Sequence, residues 1–246
     1  MMENKLTIVI PCRNEEDYIG HCLQSLRKQR GIGQTQIIIA NNSTDDTEKV
    51  IELYKNFLNI RIIQGGTVSV ARNNGARLVR TPYVCFIDGD VRFFNDFILE
   101  KTINLLEKKN LHLITGNIRC YDNDIRAKLG FRVFNMINHL LKYTSPFAIG
   151  AFMCTRMDKF NEYGGFPEKY PTSEDYFLSR QYDPKKFEIL ETANNFFKFS
   201  LKKNNSALNY LVGRGINSEI QEIFHVGFCP SDEDLINYFK KKEITK

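Results

Sequence analysis

Short runs rich in Ile and Val, each followed by a stretch with helical spacing, fill the first half of this chain and constrain its fold more than any other feature. Leu6–Ile10, Gln36–Ala40, Ile60–Ile63 and Tyr83–Ile87 are apolar at consecutive positions, as strands covered on both faces are. Between them, Ile19, Cys22, Leu23 and Leu26 recur at helical spacing, and Val50, Ile51, Tyr54 and Phe57 do the same after Thr44-Asp45-Asp46, a helix start. A third helical stretch spans about 70–79, and a fourth follows Asn95 with Phe97, Ile98, Ile103 and Leu106. Alternation at this pitch predicts an α/β fold, a mostly parallel sheet flanked by helices on both faces. A further strand is expected around Leu111–Ile118.

Beyond residue 120 the pattern loosens. Residues 128–143 read as an amphipathic helix, Phe147–Cys154 as a strand and 173–182 as a short helix. From Asp183 the chain turns polar and Asn/Lys-rich, with helical stretches near 190–203 and 232–242. The expected organisation is therefore a domain over 1–182 and a partly helical extension over 183–246, either an appendage or part of the same domain. The 246 residues, 42% hydrophobic and 12% aromatic, suffice for one substantial core and exclude disorder. No run approaches the roughly 18–20 apolar residues of a membrane span. The apolar patch that ends at Pro11 is too short for a secretory leader. Six cysteines without a C-x-x-C pair read as free thiols in a reducing compartment. A cytoplasmic location is expected, with no zinc site and no disulfide framework. A net charge of +5 suits phosphates or an anionic surface and is too small to imply nucleic-acid binding.

In an open α/β sheet, ligands bind beyond the carboxyl ends of the strands. Three polar clusters fall at such ends: Pro11-Cys12-Arg13-Asn14-Glu15-Glu16, Asn41-Asn42-Ser43-Thr44-Asp45-Asp46, and Asp88-Gly89-Asp90. Each alone is compatible with capping or turn chemistry. Together at one sheet edge they favour a binding site. In the third, two carboxylates one glycine apart can aim at one hard cation, Mg²⁺ or Mn²⁺, bridging to substrate phosphates.

Six segments in order give the chain a resemblance to the family-two inverting glycosyltransferases, which have the GT-A fold. They are Thr7–Glu15, Asn41–Thr47, Val70-Ala71-Arg72-Asn73-Asn74-Gly75-Ala76, Phe86–Asp90, Gly164-Gly165-Phe166-Pro167-Glu168 and Ser173–Arg180. The resemblance covers roughly residues 5–182; the remaining tail matches no family pattern. It implies a nucleotide-diphospho-sugar donor cradled by Pro11, Arg13, Asn14, Glu15 and Asn41, with Arg72 near the base or diphosphate. Asp88 is then the contact to ribose and metal, and Asp90 the main ligand of a Mn²⁺ or Mg²⁺ that assists departure of the nucleoside diphosphate. Asp175 is implied as the base that deprotonates an acceptor hydroxyl on a glycan or lipid-linked acceptor, and Glu174 as the group that orients it. Read without that resemblance, Glu174-Asp175 is an acidic first turn of a helix.

Departures from the family pattern bear on these roles. Ala40 stands where an Asp is usual, and Asn41 where many members carry a second Asp, so a uracil preference does not follow. Q-x-x-R-W is missing and the chain has no Trp, which argues for transfer of a single sugar over polymerisation with export. Ala40 also leaves open an inactive nucleotide-sugar or glycan-binding protein of the same fold. A sugar-phosphate nucleotidyltransferase would need a glycine-rich first loop, and Pro11–Glu16 has no glycine. His225 lies downstream of the base motif, where some GT-A enzymes supply a further metal ligand. The other reading, and the one favoured for a single histidine, is a partly buried structural residue.

Residues 128–143 project onto two halves. Leu129, Val133, Phe134, Met136, Ile137, Leu140, Leu141 and Tyr143 share one; Lys128, Arg132, Asn135, Asn138, His139 and Lys142 share the other; Phe131 is out of place. Two arrangements fit this projection. The apolar half can pack on the sheet, or the helix can lie in a membrane interface as a peripheral contact at the inner face.

Overall fold

The computed structural model describes residues 4–121, 124–141, 148–169, 174–182, 195–223 and 226–242. His225, Ser173, Lys142 and Tyr143 lie outside these residues, as do the first residues expected of the 147–154 strand and the 190–203 helix. The chain divides into two compact units, Met1–Tyr182 and Asp183–Lys246.

The first unit is built on a six-stranded sheet. Its strands are β1 (Leu6–Cys12), β2 (Gln36–Asn41), β3 (Ile60–Gln64), β4 (Tyr83–Ile87), β5 (Leu113–Thr115) and β6 (Phe152–Arg156), in the spatial order β3-β2-β1-β4-β6-β5. Strands β1 to β4 run parallel, and β6 runs antiparallel to both β4 and β5. The expected fifth strand shrinks to three residues, because Gly116 and the polar stretch after it leave the sheet at once. The strand expected from Phe147 begins only at Phe152, since Gly150 and Ala151 form a turn closed by the Ile149–Phe152 bridge.

Period two decides which residues face which core. Leu6, Ile8, Ile10, Ile37, Ile39, Cys85 and Ile87 pack against α1 (Ile19–Arg27) and α4 (Ile98–Lys108) on one side. Val9, Ile38, Val84, Phe86 and Met153 pack on the other, which holds α3 (Val68–Ala76) and α6 (Met157–Glu162). Helix α2 (Thr47–Glu52) completes the first βαβ units. Helix α3 sits close to β1 because a Cβ on Gly75 would fall 2.3 Å from Val9 Cγ1, so only glycine fits there. Chain order reverses between β1 and β4, and the crevice of such a sheet opens at that switch point.

Helix α5 (Ile125–Leu141) follows β5, and α7 (Glu174–Gln181) ends the unit. The apolar half of α5 is not packed on the sheet. Ile125, Leu129, Val133, Met136, Ile137 and Leu140 form an outward stripe, exposed by 43% at Val133 up to 80% at Ile125. The inward side carries Phe131, Phe134, Asn135 and Asn138, all half-buried. Asn135 fixes that orientation: its Nδ2 donates to the Ile118 carbonyl at 2.6 Å, and the Ile118 N–H donates back to its Oδ1 at 3.0 Å. Among the described residues no helix is long and apolar enough to cross a membrane.

The second unit is helical, with α8 (195–203), α9 (Asn205–Gly213), α10 (Ser218–Ile223) and α11 (Asp232–Lys241). Asn204 and Ser231 cap α9 and α11 by accepting from the Ala207 and Asp234 N–H groups.

Candidate active site

At the carboxyl ends of β1 and β2 the two loops lock together through polar groups. Asn14, in the left-handed region at φ 57°, donates its N–H to Ser43 Oγ at 2.8 Å and accepts the Thr44 N–H at 2.9 Å on Oδ1. The Glu15 N–H reaches Thr47 Oγ1 at 2.8 Å, and the Asp46 N–H reaches Glu16 Oε2 at 2.9 Å. Asn41 is buried; its amide donates to Glu48 Oε2 at 3.1 Å and accepts the Ser43 N–H at 3.1 Å. Pro11 is half-buried at the end of β1, and Arg13 is exposed on the loop. Much of the polarity in these clusters therefore rigidifies the rim of the crevice.

Beyond β4, Asp88-Gly89-Asp90 makes a turn closed by the Val91 N–H on the Asp88 carbonyl at 3.2 Å. Three carboxylates face one another here. Burial, followed by the charges of Asp90, Asp88 and Asp45, raises the Glu15 pKa above the usual carboxylate range. Burial and then Asp88 raise that of Asp90. Among the described residues no three His, Cys, Asp or Glu side chains form a complete cage for a metal ion. An oxygen-only pair fits a hard cation that takes its remaining ligands from phosphates and water, and such a cation would relieve the repulsion.

Arg72 organises the site from below. It is 1% exposed; Nη2 donates to Asp88 Oδ1 at 2.6 Å, and Nη1 donates to Glu174 Oε1. Its guanidinium also lies 5.2 Å from the centre of the Phe166 ring. Next to it, the Gly150 N–H donates to Asp175 Oδ2 at 2.7 Å. A Cβ on Gly150 would stand 2.7 Å from Arg72 Nη2 and 3.2 Å from Asp175 Oδ2, so a bare backbone is required where base candidate and guanidinium meet.

A second anchor comes from Asn73. Its amide donates to the Phe166 carbonyl at 2.9 Å and to Glu168 Oε1 at 2.8 Å, while its Oδ1 accepts the Phe166 N–H at 3.0 Å. Gly164 and Gly165, at φ +80° and +76°, turn the chain so that Phe166 meets that clamp. The sequence flagged both segments but not their mutual contact, and nothing in it pointed to Gly150.

The structure thus brings Arg72, Asp88, Glu174 and Asp175 together, with Glu15 and Asp90 facing Asp88. Arg13, Asn14 and Asn41 stand on the rim, and His225 lies outside the described residues.

The model of the glycosyl transferase family 2 matches residues 7–164. A teichoic acid poly(glycerol phosphate) polymerase of Staphylococcus epidermidis is 38% identical over 109 residues, 41% of this chain and 15% of that protein. Staphylococcus aureus TarS 1-349 in complex with UDP-GlcNAc superimposes with a TM-score of 0.55 at 21% identity, over 72% of this chain and 52% of that one. A mannosyltransferase of Pyrobaculum calidifontis in complex with GDP-Man and Mn²⁺ gives 0.60 at 16% identity, over 71% and 50%. The chain spans about a sixth to a half of the length of these relatives. With the matched segment covering well over half of its residues, the chain belongs to glycosyl transferase family 2.

Proposed function

We propose that this protein is a metal-dependent, inverting glycosyltransferase that moves one sugar from a nucleotide-diphospho-sugar to an acceptor hydroxyl in cell-surface glycan or glycolipid synthesis. One observation carries the reading. Arg72 joins Asp88, on the cation turn, to Glu174, beside the base candidate, so donor-side and acceptor-side groups share one ion-paired cluster. The polymer named for the Staphylococcus epidermidis relative and the UDP-GlcNAc and Mn²⁺ in the neighbouring structures support the acceptor class, the donor class and the cation.

The roles follow from placement. Pro11, Arg13, Asn14, Glu15 and Asn41 line the rim at the switch point, where a nucleoside lies across the ends of β1 and β2. Asp88 and Asp90 are the residues that would hold the cation. When bound, Mn²⁺ or Mg²⁺ supplies Lewis-acid stabilisation of the charge on the departing diphosphate. Arg72, buried and bonded to two carboxylates, is a positioning residue. Asp175, with Oδ2 held by the Gly150 N–H, takes the proton of the acceptor hydroxyl, and attack from the face opposite the leaving group inverts the anomeric centre. Glu174, held by Arg72, fixes the start of α7 and with it Asp175.

The outward stripe of α5 adds a peripheral membrane contact. At about 100° per residue, Lys128, Arg132 and His139 lie along one edge of that stripe, and α5 carries no acidic residue. An apolar face bordered by cations is the pattern of a helix lying in an anionic interface.

Calorimetry with UDP, GDP and TDP, each with and without Mn²⁺, followed by hydrolysis of the matching sugar donors, tests the proposal. Binding of one nucleotide that needs Mn²⁺, with slow hydrolysis of its donor, is expected. Failure of all three to bind under either condition refutes the function.

A further inference from the structure

Two aromatic side chains beside the cation turn stay open to water although the backbone of the first is held from below. Phe94 is 61% exposed and Tyr121 64%. Val91 and Phe93 pack inward on the core, and the Phe93 ring meets Phe152 edge-on at 5.9 Å. The Phe93 N–H donates to Ser25 Oγ at 3.1 Å, and the Asn95 carbonyl accepts from Gln29 Nε2 at 2.8 Å. Phe94 is thus pinned outward between two anchored neighbours. Its ring lies 22° from parallel to that of Tyr121, with centres 6.4 Å apart, and the Arg92 guanidinium stands 4.1 Å from the centre of the Tyr121 ring. Rings held this way in solvent forgo burial that a ligand would supply.

Their place in the sheet decides what that ligand is. The nucleoside rim stands at the ends of β1 and β2, whereas the ring pair follows β4 and β5, on the other side of the cation turn. Phe94 is four residues beyond Asp90, at most about 14 Å along the chain. Strand β5 points the same way as β4, because both run antiparallel to β6, and the register sets Thr115 level with Phe86. The segment leading to Tyr121 therefore leaves the sheet at the edge that carries Asp88. At the start of that segment the Ile149 N–H donates to Thr115 Oγ1 at 3.1 Å, one residue from the Gly150 that holds Asp175. One ring is tied to the cation turn and the other to the base candidate.

We propose that Phe94 and Tyr121 form a stacking platform for a pyranose ring of the acceptor, which makes that acceptor a saccharide and not an acyclic polyol or a bare lipid alcohol. This rests on the glycosyltransferase reading and specifies its acceptor. A pyranose carries C–H groups on its faces and hydroxyls around its rim. The C–H groups lie against the negative faces of aromatic rings, and the hydroxyls stay free to react.

Saturation-transfer NMR on the full chain in metal-free buffer tests this with methyl β-D-glucopyranoside, methyl α-D-mannopyranoside and methyl N-acetyl-β-D-glucosaminide. Ribitol and glycerol are the acyclic controls. Saturable transfer to the ring C–H protons of at least one pyranoside is expected, and none to the polyols. The dissociation constant should rise about threefold or more in Phe94→Ala/Tyr121→Ala and in Phe94→Leu/Tyr121→Leu, which keeps apolar bulk without a flat face. Phe94→Tyr should bind as wild type does, and all these proteins should melt together because both rings are exposed. Transfer to no pyranoside, equal transfer to the polyols, or a leucine variant that binds as well as wild type overturns the platform. The same proteins are sedimented with phosphatidylcholine vesicles containing phosphatidylglycerol, and equal sedimentation is expected. Sedimentation lost in the alanine variant with saccharide binding intact would assign the rings to a membrane and overturn the platform. Mn²⁺-dependent nucleotide affinity, read by calorimetry, should match between variant and wild type; a parallel fall would make the rings part of the donor site, which also overturns it. Absence of that affinity from wild type would instead signal failure of the glycosyltransferase reading, whatever the saccharide arm shows.

Discussion

Replacing Arg72 by alanine removes the one cation that joins Asp88 to Glu174. Glu174 has a side chain 11% exposed, and Arg72 Nη1 is its cationic partner among the described residues. Removing one partner of such a buried pair costs about 3–5 kcal/mol, because the remaining charge keeps its desolvation penalty without compensation. Asp88, 36% exposed on its side chain, regains water and adds little. For a unit the size of Met1–Tyr182, each kcal/mol lowers the melting temperature by about 2–4 °C, so a drop of about 6–20 °C is expected by calorimetry. Arg72→Met/Glu174→Met should recover more than half of that loss, since it leaves no unpaired charge in the cluster's buried half. Arg72→Lys keeps the charge but cannot span both carboxylates, so it should cost turnover more than stability. A melting point for Arg72→Ala within about 2 °C of wild type, a third of the smallest drop expected, or a double variant no better than the sum of its singles, refutes the coupling.

Three further variants probe the same cluster and α5. A carboxyl whose folded pKa is raised contributes stability below its unfolded value near 4 and loses it as pH rises through the folded value; since Asp90 is raised by burial and by Asp88, Asp90→Asn should melt higher than wild type in metal-free buffer at pH 7, with the gain vanishing below about pH 4. Metal-dependent nucleotide affinity should be lost in the same variant by calorimetry, and its retention would remove Asp90 from the cation site. Gly150→Ala pushes a methyl between Arg72 and Asp175 and should reduce turnover at least tenfold while nucleotide affinity holds. Leu129→Glu/Leu140→Glu alters only exposed side chains, so its melting temperature should be unchanged while sedimentation with anionic vesicles at low salt falls; equal sedimentation would leave the stripe without a membrane role.

The parallel strands were legible because residues buried on both faces must be apolar throughout, and β1 to β4 fall within two residues of the expected runs. Polar clusters at their ends were legible for the complementary reason: strands stop where chemistry begins. What the chain does with those clusters depends on contacts between distant segments. Arg72 reads as a donor ligand from its motif, yet the fold sinks it under two carboxylates that lie 16 and 102 positions away in the chain. Glu15 reads as part of a nucleoside cradle, and its charge meets Asp88 and Asp90 only once β1 and β4 are neighbours. Helical periodicity divides α5 into two faces without saying which one turns inward. Asn135 settles that by bonding the Ile118 backbone, a choice no hydrophobicity pattern encodes.

The most direct test of the central claim follows the anomeric configuration of the sugar released when the nucleotide-sugar donor, with Mn²⁺, is hydrolysed slowly without acceptor, using proton NMR before mutarotation. Wild type should release the sugar first with inverted configuration, and Asp175→Asn should slow that release by about two to four decades at unchanged nucleotide affinity. Release with retained configuration, or an Asp175→Asn variant that turns over at the wild-type rate, would contradict the assignment of Asp175 as the base opposite the cation pair.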